Sequence, residues 1–329
     1  MMFTIYELST GKTIANEDFQ QSDLQQDSLW IDLFQPSEAE IELWNERLGL
    51  DLPTRPEMEE IESTSRLYVE DHALFMTATV LSNSDEPGGI HTTPVTFVLG
   101  EKILVTVRFV DNQPFRQFIR NLERRPGTRT TPAHTLSALL DSIVDRLADI
   151  LERVGNECDR LSAEIFRSDS KGRKANQQSE LLKELLRRTG QNGETVAKSR
   201  ESLMTINRII VYFLEPIKKL GLDSLVPHVK GIGRDVQSLS DHANYLDGKV
   251  AFLLDAILGL INIEQNQIIK IFSIAAVIFL PPTVVASIYG MNFSIMPELH
   301  QEWGYPFALS LMIFSAILPF VYFRRKGWI

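Results

Sequence analysis

The stretch IFSIAAVIFLPPTVVASIYGM, residues 271–291, carries no charge over 21 positions, and a helix needs about 20 such residues to cross a bilayer. A second uncharged stretch, Tyr305–Phe323, runs for 19. Beyond Lys270 the only charged residues are Glu298, Glu302, Arg324, Arg325 and Lys326. The chain therefore changes solvent near residue 270, and two membrane spans fit stretches this long better than two buried core helices do. Basic residues near span ends set orientation. Lys270 precedes the first span and Arg324, Arg325 and Lys326 follow the second, whereas 292–304 holds Glu298, His300 and Glu302 without any Lys or Arg. Both termini are expected in the cytoplasm and the connecting loop outside. Tyr289, Trp303 and Tyr305 would mark the outer interface, and Tyr322 and Trp328 the inner one.

The first span is unusual for an anchor. Pro281 and Pro282 remove backbone donors in mid-membrane and would kink a lone helix. Asn262, Asn266, Ile269, Ser273, Ala276, Leu280, Thr283 and Ser287 follow one another at alternating spacings of four and three. That is a 3.5-residue seam, the period of helices that meet along a shared axis, but filled with small and polar residues. Two readings fit: helices ringed around water, or close small-residue packing in lipid. Upstream, composition from about Pro227 to Met291 is compatible with one helix, roughly 95 Å long at about 1.5 Å per residue. Asp255 lies one heptad before Asn262 and joins the seam. It reads either as an acidic ring at the inner mouth of a cation path or as a solvated charge.

The rest of the 329 residues looks soluble. FTIYEL, LWIDLF, RLYVEDHALFMTATVL and PVTFVLGEKILVTVRF read as strands, the last run folded as a hairpin across Gly100-Glu101. EAEIELWNERLGL and PFRQFIRNLERR read as helices, and SNSDEPGG (82–89) as a loop. A mostly antiparallel sheet with helices on both sides is expected. After Pro132 the pattern is helical: Thr135–Phe166, a polar tip RSDSKGRKANQQ, then Gln177–Leu214 with a weak point at QNG, 191–193. Asp141, Asp145, Asp149 and Glu152 share one helix face, where like charges repel unless solvated, paired or metal-bound. The net charge of −10 argues against a nucleic-acid partner, since phosphates need clustered Lys and Arg. Cys158 is the single cysteine and the six histidines are scattered, so no disulfide framework or thiolate metal site arises. No signal peptide is expected at the N-terminus. Phosphate-binding, zinc-protease and nucleophile-elbow motifs are absent, which predicts neither an enzyme nor ATP use.

The run Tyr289-Gly290-Met291-Asn292-Phe293 closes the first span, Met296-Pro297-Glu298-Leu299 follows in the loop, and a basic tail reaches Trp328. With IEQNQIIKIFS (263–273) and FLPPTVVAS (279–287), this resembles the CorA family of magnesium channels, in particular the enterobacterial branch. The related ZntB transporters usually carry Gly-Val-Asn and lack the MPEL loop. The resemblance implies an α+β cytoplasmic domain, a long helical stalk and two C-terminal transmembrane helices, assembled as a funnel-shaped homopentamer in a bacterial inner membrane. The expected order is an α/β domain over 1–131, long antiparallel helices over 132–227 and a stalk over 228–291 that becomes the first span at about 271–291. A periplasmic loop over 292–304, a second span over 305–323 and a basic tail over 324–329 complete it.

Carried over by position, Gly290, Met291 and Asn292 would form the selectivity filter, with Asn292 holding hydrated Mg2+. Asn262, Asn266, Ile269, Phe272, Ser273, Leu280, Thr283 and Ser287 would line the pore, and Asp255 would stand at the inner mouth. Family members can have methionine where Ile269 and Leu280 stand here, which leaves a hydrophobic gate of altered composition. Glu298 and Glu302 would attract cations outside, and Lys270, Arg324, Arg325 and Lys326 would form a basic cytoplasmic ring. Mg2+ would be both cargo and regulator, with no organic cofactor. Asp141, Asp145, Asp149, Asp235 and Asp241 are the candidate regulatory acids. Co2+ and Ni2+ are expected to permeate as well. The alternatives are a ZntB-type Zn2+, Co2+ or Ni2+ transporter, and a membrane-anchored helical sensor without a pore, which would need an apolar seam.

Overall fold

Alternating apolar residues near the N-terminus build one seven-stranded sheet in the computed structural model, which describes residues 3–10, 13–14, 28–60, 62–82, 90–124, 131–167, 175–219, 221–292, 296–297 and 301–328. The strands are β1 (Phe3–Glu7), β2 (Thr13–Ile14), β3 (Leu29–Phe34), β4 (Leu67–Glu70), β5 (Ala73–Ser82), β6 (His91–Leu99) and β7 (Ile103–Arg108). They lie in the order β2-β1-β3-β7-β6-β5-β4. Pairing is antiparallel except between β3 and β7, where Leu29 faces Ile103 and Phe34 faces Arg108. The β6–β7 hairpin closes at Gly100, whose N–H donates to Ile103 O at 2.9 Å. The β4–β5 turn instead places Asp71 and His72 at φ 46° and 63°, a left-handed pair in which Asn, Asp or Gly is usual first and Gly second.

Two faces of the sheet bury different chemistry. On one, Leu29, Ile31, Leu33, Val105 and Val107 pack with Ile41 and Trp44 of helix α1 (Glu38–Leu48). That helix starts cleanly because Ser37 and Glu40 exchange capping hydrogen bonds, and it stops at Gly49 with φ 64°. Short helices α2 (Arg55–Glu59) and α3 (Ser63–Arg66) lead from it to β4. On the other face Arg108 donates from Nη2 to Asp32 Oδ2 at 2.7 Å and from Nε to Asp32 Oδ1 at 3.0 Å. Thr106 Oγ1 donates to the same carboxylate at 2.7 Å and receives the Trp30 indole N–H at 3.1 Å. Phe34 and Phe115 flank the guanidinium at 4.5 and 4.9 Å. Burial opposes the arginine's charge, but the Asp32 bonds outweigh it and hold its pKa above the ordinary value. A pair this buried is neutral at best relative to apolar packing, yet removing either partner alone is costly.

Among the described residues the α-helices that follow are α4 (Gln113–Arg124), α5 (Pro132–Arg167), α6 (Ala175–Lys219), α7 (Val226–Tyr289) and α8 (Gly304–Arg325). The chain divides into two compact units, Met1–Lys171 with Lys183–Leu254, and Gly172–Leu182 with Asp255–Ile329. In the first unit α6 is tied to the sheet by Thr205 Oγ1, which accepts the Thr79 N–H at 3.0 Å. Charged links join its long helices: Arg188 on α6 to Glu157 and Glu164 on α5, Lys249 on α7 to Asp159 at 2.7 Å, and Arg200 on α6 to Asp247 on α7 at 3.2 Å. Glycines set how closely the helices approach. A Cβ on Gly193 would meet Val250 Cγ1 at 3.2 Å, and one on Gly233 would meet Ile210 Cγ2 at 3.4 Å.

The structure corrects one expectation. QNG at 191–193 is no weak point, because α6 runs through it unbroken and Gly193 serves as a packing position. Residues 83–89 of the first loop and 168–174 of the helical tip lie outside the described residues. Replacing Gly193 by Val is expected to lower the thermal unfolding midpoint of the full-length protein, an overpacking cost of about 1–3 kcal/mol. Gly190, also inside α6 but with open space around its Cβ position, should accept Ala with an unchanged or higher midpoint. Equal effects of the two substitutions would remove the packing role assigned to Gly193.

Candidate functional site

The apolar helices lie in the second unit. Only 6% of each apolar window is buried within the chain, so neither α8 nor the C-terminal half of α7 is the core helix of a soluble fold. With about 100° of turn per residue, two faces of α7 separate. Ile274 is 7% exposed, and Ile278, Pro281, Pro282, Val285 and Tyr289 on the same face are half-buried. The opposite face holds Asn262, Asn266, Ile269, Ser273, Ala276, Leu280, Thr283 and Ser287, and every one of them is exposed. Asp255, one heptad earlier, is exposed too. Phe272 stands beside this line rather than on it and is 72% exposed.

Local chemistry along α7 is unusual for lipid. Pro281 and Pro282 sit inside a helix that stays continuous to Tyr289, and they leave the carbonyls of Val277 and Ile278 without their usual donors. The Thr283 hydroxyl donates to Phe279 O at 2.7 Å, which satisfies its proton within the helix while the side chain stays exposed. The helix ends where the Gly290 N–H bonds Ala286 O at 2.9 Å and the Met291 N–H bonds Ile288 O at 3.3 Å. A Cβ on Gly290 would lie 3.1 Å from Ala286 O, which explains glycine at this sharp end. Met291 and Asn292 follow directly and are exposed. Glu302 is exposed at the far side of the loop; Glu298 lies outside the described residues. Trp303 opens α8 and meets Phe307 edge-on at 5.7 Å, and at the other end Lys270 approaches Trp328, with Arg324, Arg325 and Lys326 exposed beside it.

The acids of the first unit behave differently. Asp141 is half-buried on α5, with Asp145 and Asp149 more exposed on the same face. Asp235 comes in from α7, a contribution not apparent from spacing along one helix. Burial first, then the fields of Asp141, Asp149 and Asp235, push the Asp145 carboxyl above its ordinary value of 3.8. Asp241 takes a 3.3 Å hydrogen bond from Gln237 on its own helix. Among the described residues no three His, Cys, Asp or Glu side chains of one chain come close enough to hold a metal ion.

Comparison with known proteins places this architecture. The family model for CorA-like Mg2+ transporter proteins matches residues 25–325. The magnesium transport protein CorA of Haemophilus influenzae is 34% identical over 313 residues, covering 95% of each chain. Its namesake in Salmonella typhimurium is 32% identical over 328 residues, covering 100% of both. Among solved structures, a CorA magnesium transporter from Methanocaldococcus jannaschii superposes with a TM-score of 0.73 at 19% identity, across 100% of this chain and 99% of that one.

The raised Asp145 pKa carries a definite sign. The unfolded chain gives up this proton near 3.8 and the folded chain only at higher pH, so ionisation above that window favours unfolding. Replacing Asp145 by Asn should raise the thermal midpoint at pH 7, and the gain should fade as pH falls below the ordinary carboxylate range. A gain of the same size at pH 3 would show that mutual repulsion of the acids is not its source.

Proposed function

The chain belongs to the family of CorA-like Mg2+ transporters, and from that premise we propose that it forms a homopentameric channel carrying Mg2+ inward across a bacterial inner membrane. The observation that carries this reading is the polar line of α7. It remains exposed along the whole apolar stretch and leads to Asn292. A single helix in lipid has no use for Asn, Ser and Thr along one face, whereas five copies around water would turn that face inward. Both termini lie in the cytoplasm on this reading, because Lys270 and the tail arginines flank the spans on one side.

Mg2+ parts with its water reluctantly and prefers octahedral oxygen coordination. Five Asn292 amides, with the carbonyls of Gly290 beneath Met291, would offer oxygens to the waters of a hydrated ion rather than to the bare cation. A neutral amide ring selects by size and charge yet releases quickly, where a carboxylate ring would hold divalents too tightly. The same property predicts passage of Co2+ and Ni2+. Glu298 and Glu302 would raise cation concentration at the mouth. Below the filter Ser287, Thr283, Ser273, Asn266 and Asn262 give a wettable wall, interrupted by Leu280, Phe272 and Ile269, an apolar constriction that closes by dewetting. Asp255 would draw the ion onward. The membrane potential supplies about 4.6 kcal/mol for a double charge at 100 mV, so ATP is not needed.

Regulation by intracellular Mg2+ fits the acids only if neighbouring subunits share the ion, since one chain gathers no three ligands among its described residues. Bridging Asp141, Asp145, Asp149, Asp235 or Asp241 across an interface would hold the pore shut when Mg2+ is abundant. Replacing Asn292 by Ala is expected to abolish Mg2+ uptake into liposomes while cross-linking still captures a pentamer. Normal uptake by that variant would dismiss the ring assigned to Asn292. Fluxes of Mg2+, Co2+, Ni2+ and Zn2+ through the parent protein separate this reading from a ZntB-type transporter.

A further inference from the structure

The tail after α8 is folded, and it is folded onto α7. Gly327 adopts φ 68°, and the turn it makes is closed by three bonds. The Lys326 N–H donates to Tyr322 O at 3.1 Å, the Gly327 N–H to Arg324 O at 3.1 Å and the Trp328 N–H to Phe323 O at 3.0 Å. This lays the Trp328 indole on Phe323, centroids 5.4 Å apart and 19° from parallel. The other demand on the indole comes from Lys270, whose ammonium sits 5.1 Å from the ring centroid. Lys326 rests in the same way on Tyr322, at 5.3 Å.

Two of the four cations at this level are thus held by aromatic faces. A ring quadrupole attracts a cation without neutralising it, so position is fixed while charge stays available. Arg324 and Arg325 are exposed and have no carboxylate partner among the described residues. Acidic side chains are also remote in sequence: none follows Glu302, and the last before Lys270 is Glu264. The result is a collar of four positive charges with aromatic anchors, set where both apolar stretches end on the same side.

We infer that this collar binds the phosphate of anionic phospholipids in the leaflet on the side of the termini. Arg324 and Arg325 offer permanent positive charge to a phosphodiester, the property on which attraction to an anionic leaflet depends. Tyr322 and Trp328 belong at headgroup depth, and a basic cluster next to a span is what an anionic leaflet attracts. The inference rests on the membrane spans and not on the presence of a pore. The competing arrangement turns these cations toward a central axis, where they would only repel permeating ions.

Thermal unfolding of the full-length protein in detergent decides between them, with phosphatidylcholine, phosphatidylglycerol or free glycerol 3-phosphate added. Phosphatidylglycerol is expected to raise the midpoint above the phosphatidylcholine value, by an increment that shrinks at about 0.5 M salt. The R324Q/R325Q pair should lose at least about half of that increment, and the R324K/R325K pair should keep most of it. An equal increment in parent and Gln pair, an equal rise with glycerol 3-phosphate, or loss in the Lys pair as in the Gln pair would each overturn the lipid assignment. Mg2+ uptake does not enter this measurement, so a failed Asn292 test would leave it standing.

Discussion

A bilayer offers no hydrogen-bond partner to a polar side chain or a spare carbonyl, and α7 breaks that rule along one face only. Ser273, Thr283 and Ser287 are exposed on it, while Ile274, Ile278 and Val285 turn to the other side. Everything distinctive in the second unit follows from keeping those faces apart. The residues on the outside of a helix can be sorted in this way only if the period is strict, and alternating spacings of four and three keep it so over 26 positions from Asn262 to Ser287. Pro281 and Pro282 add two acceptors without donors at mid-depth. Such acceptors are tolerated where a neighbour or water can meet them, which agrees with a helix built to be surrounded by protein and water rather than lipid.

The first unit answers to a different solvent and is held together differently. Among its inter-helix ion pairs, that of Arg200 with Asp247 is about half exposed, and a pair of that kind contributes roughly 0–1 kcal/mol. Cohesion comes instead from apolar side chains and from glycines that let helices approach. The Asp32–Arg108 pair is the exception, buried beside Phe34 and Phe115, and it links β3 to β7. Those strands are neighbours in space although Asp32 and its strand partner Thr106 are 74 positions apart.

Local signals were easy to read in the sequence, and remote ones were not. Uncharged length announced both spans, Gly100 announced its hairpin, and alternation announced most strands. The parallel pairing of β3 with β7 left no trace, because parallel partners are chosen by what covers the sheet and not by any turn between them. Asp71-His72 lacked the usual glycine at its second position, and QNG carried a turn composition that tertiary packing overrode by setting Gly193 against Val250. At the candidate site, the polar line of α7 was legible as periodicity. The approach of Asp235 to Asp145 was not, since it depends on how two helices cross. The fold-back of Trp328 could have been suspected from Gly327, a glycine just past a helix end being a frequent left-handed cap.

The end of α7 at Gly290 gives the chain a rule about length. One residue inserted between Pro282 and Gly290 would swing Asn292 about 100° around the axis relative to Thr283. Two would swing it about 200°, whereas three or four would bring it within about 60° or 40° of its starting direction and seven within about 20°. Within this segment, then, point substitutions and length changes are governed separately. Side chains can be exchanged one at a time, but insertions and deletions keep the direction only near whole turns, which makes the distance from the proline pair to the asparagine a reading frame written in geometry.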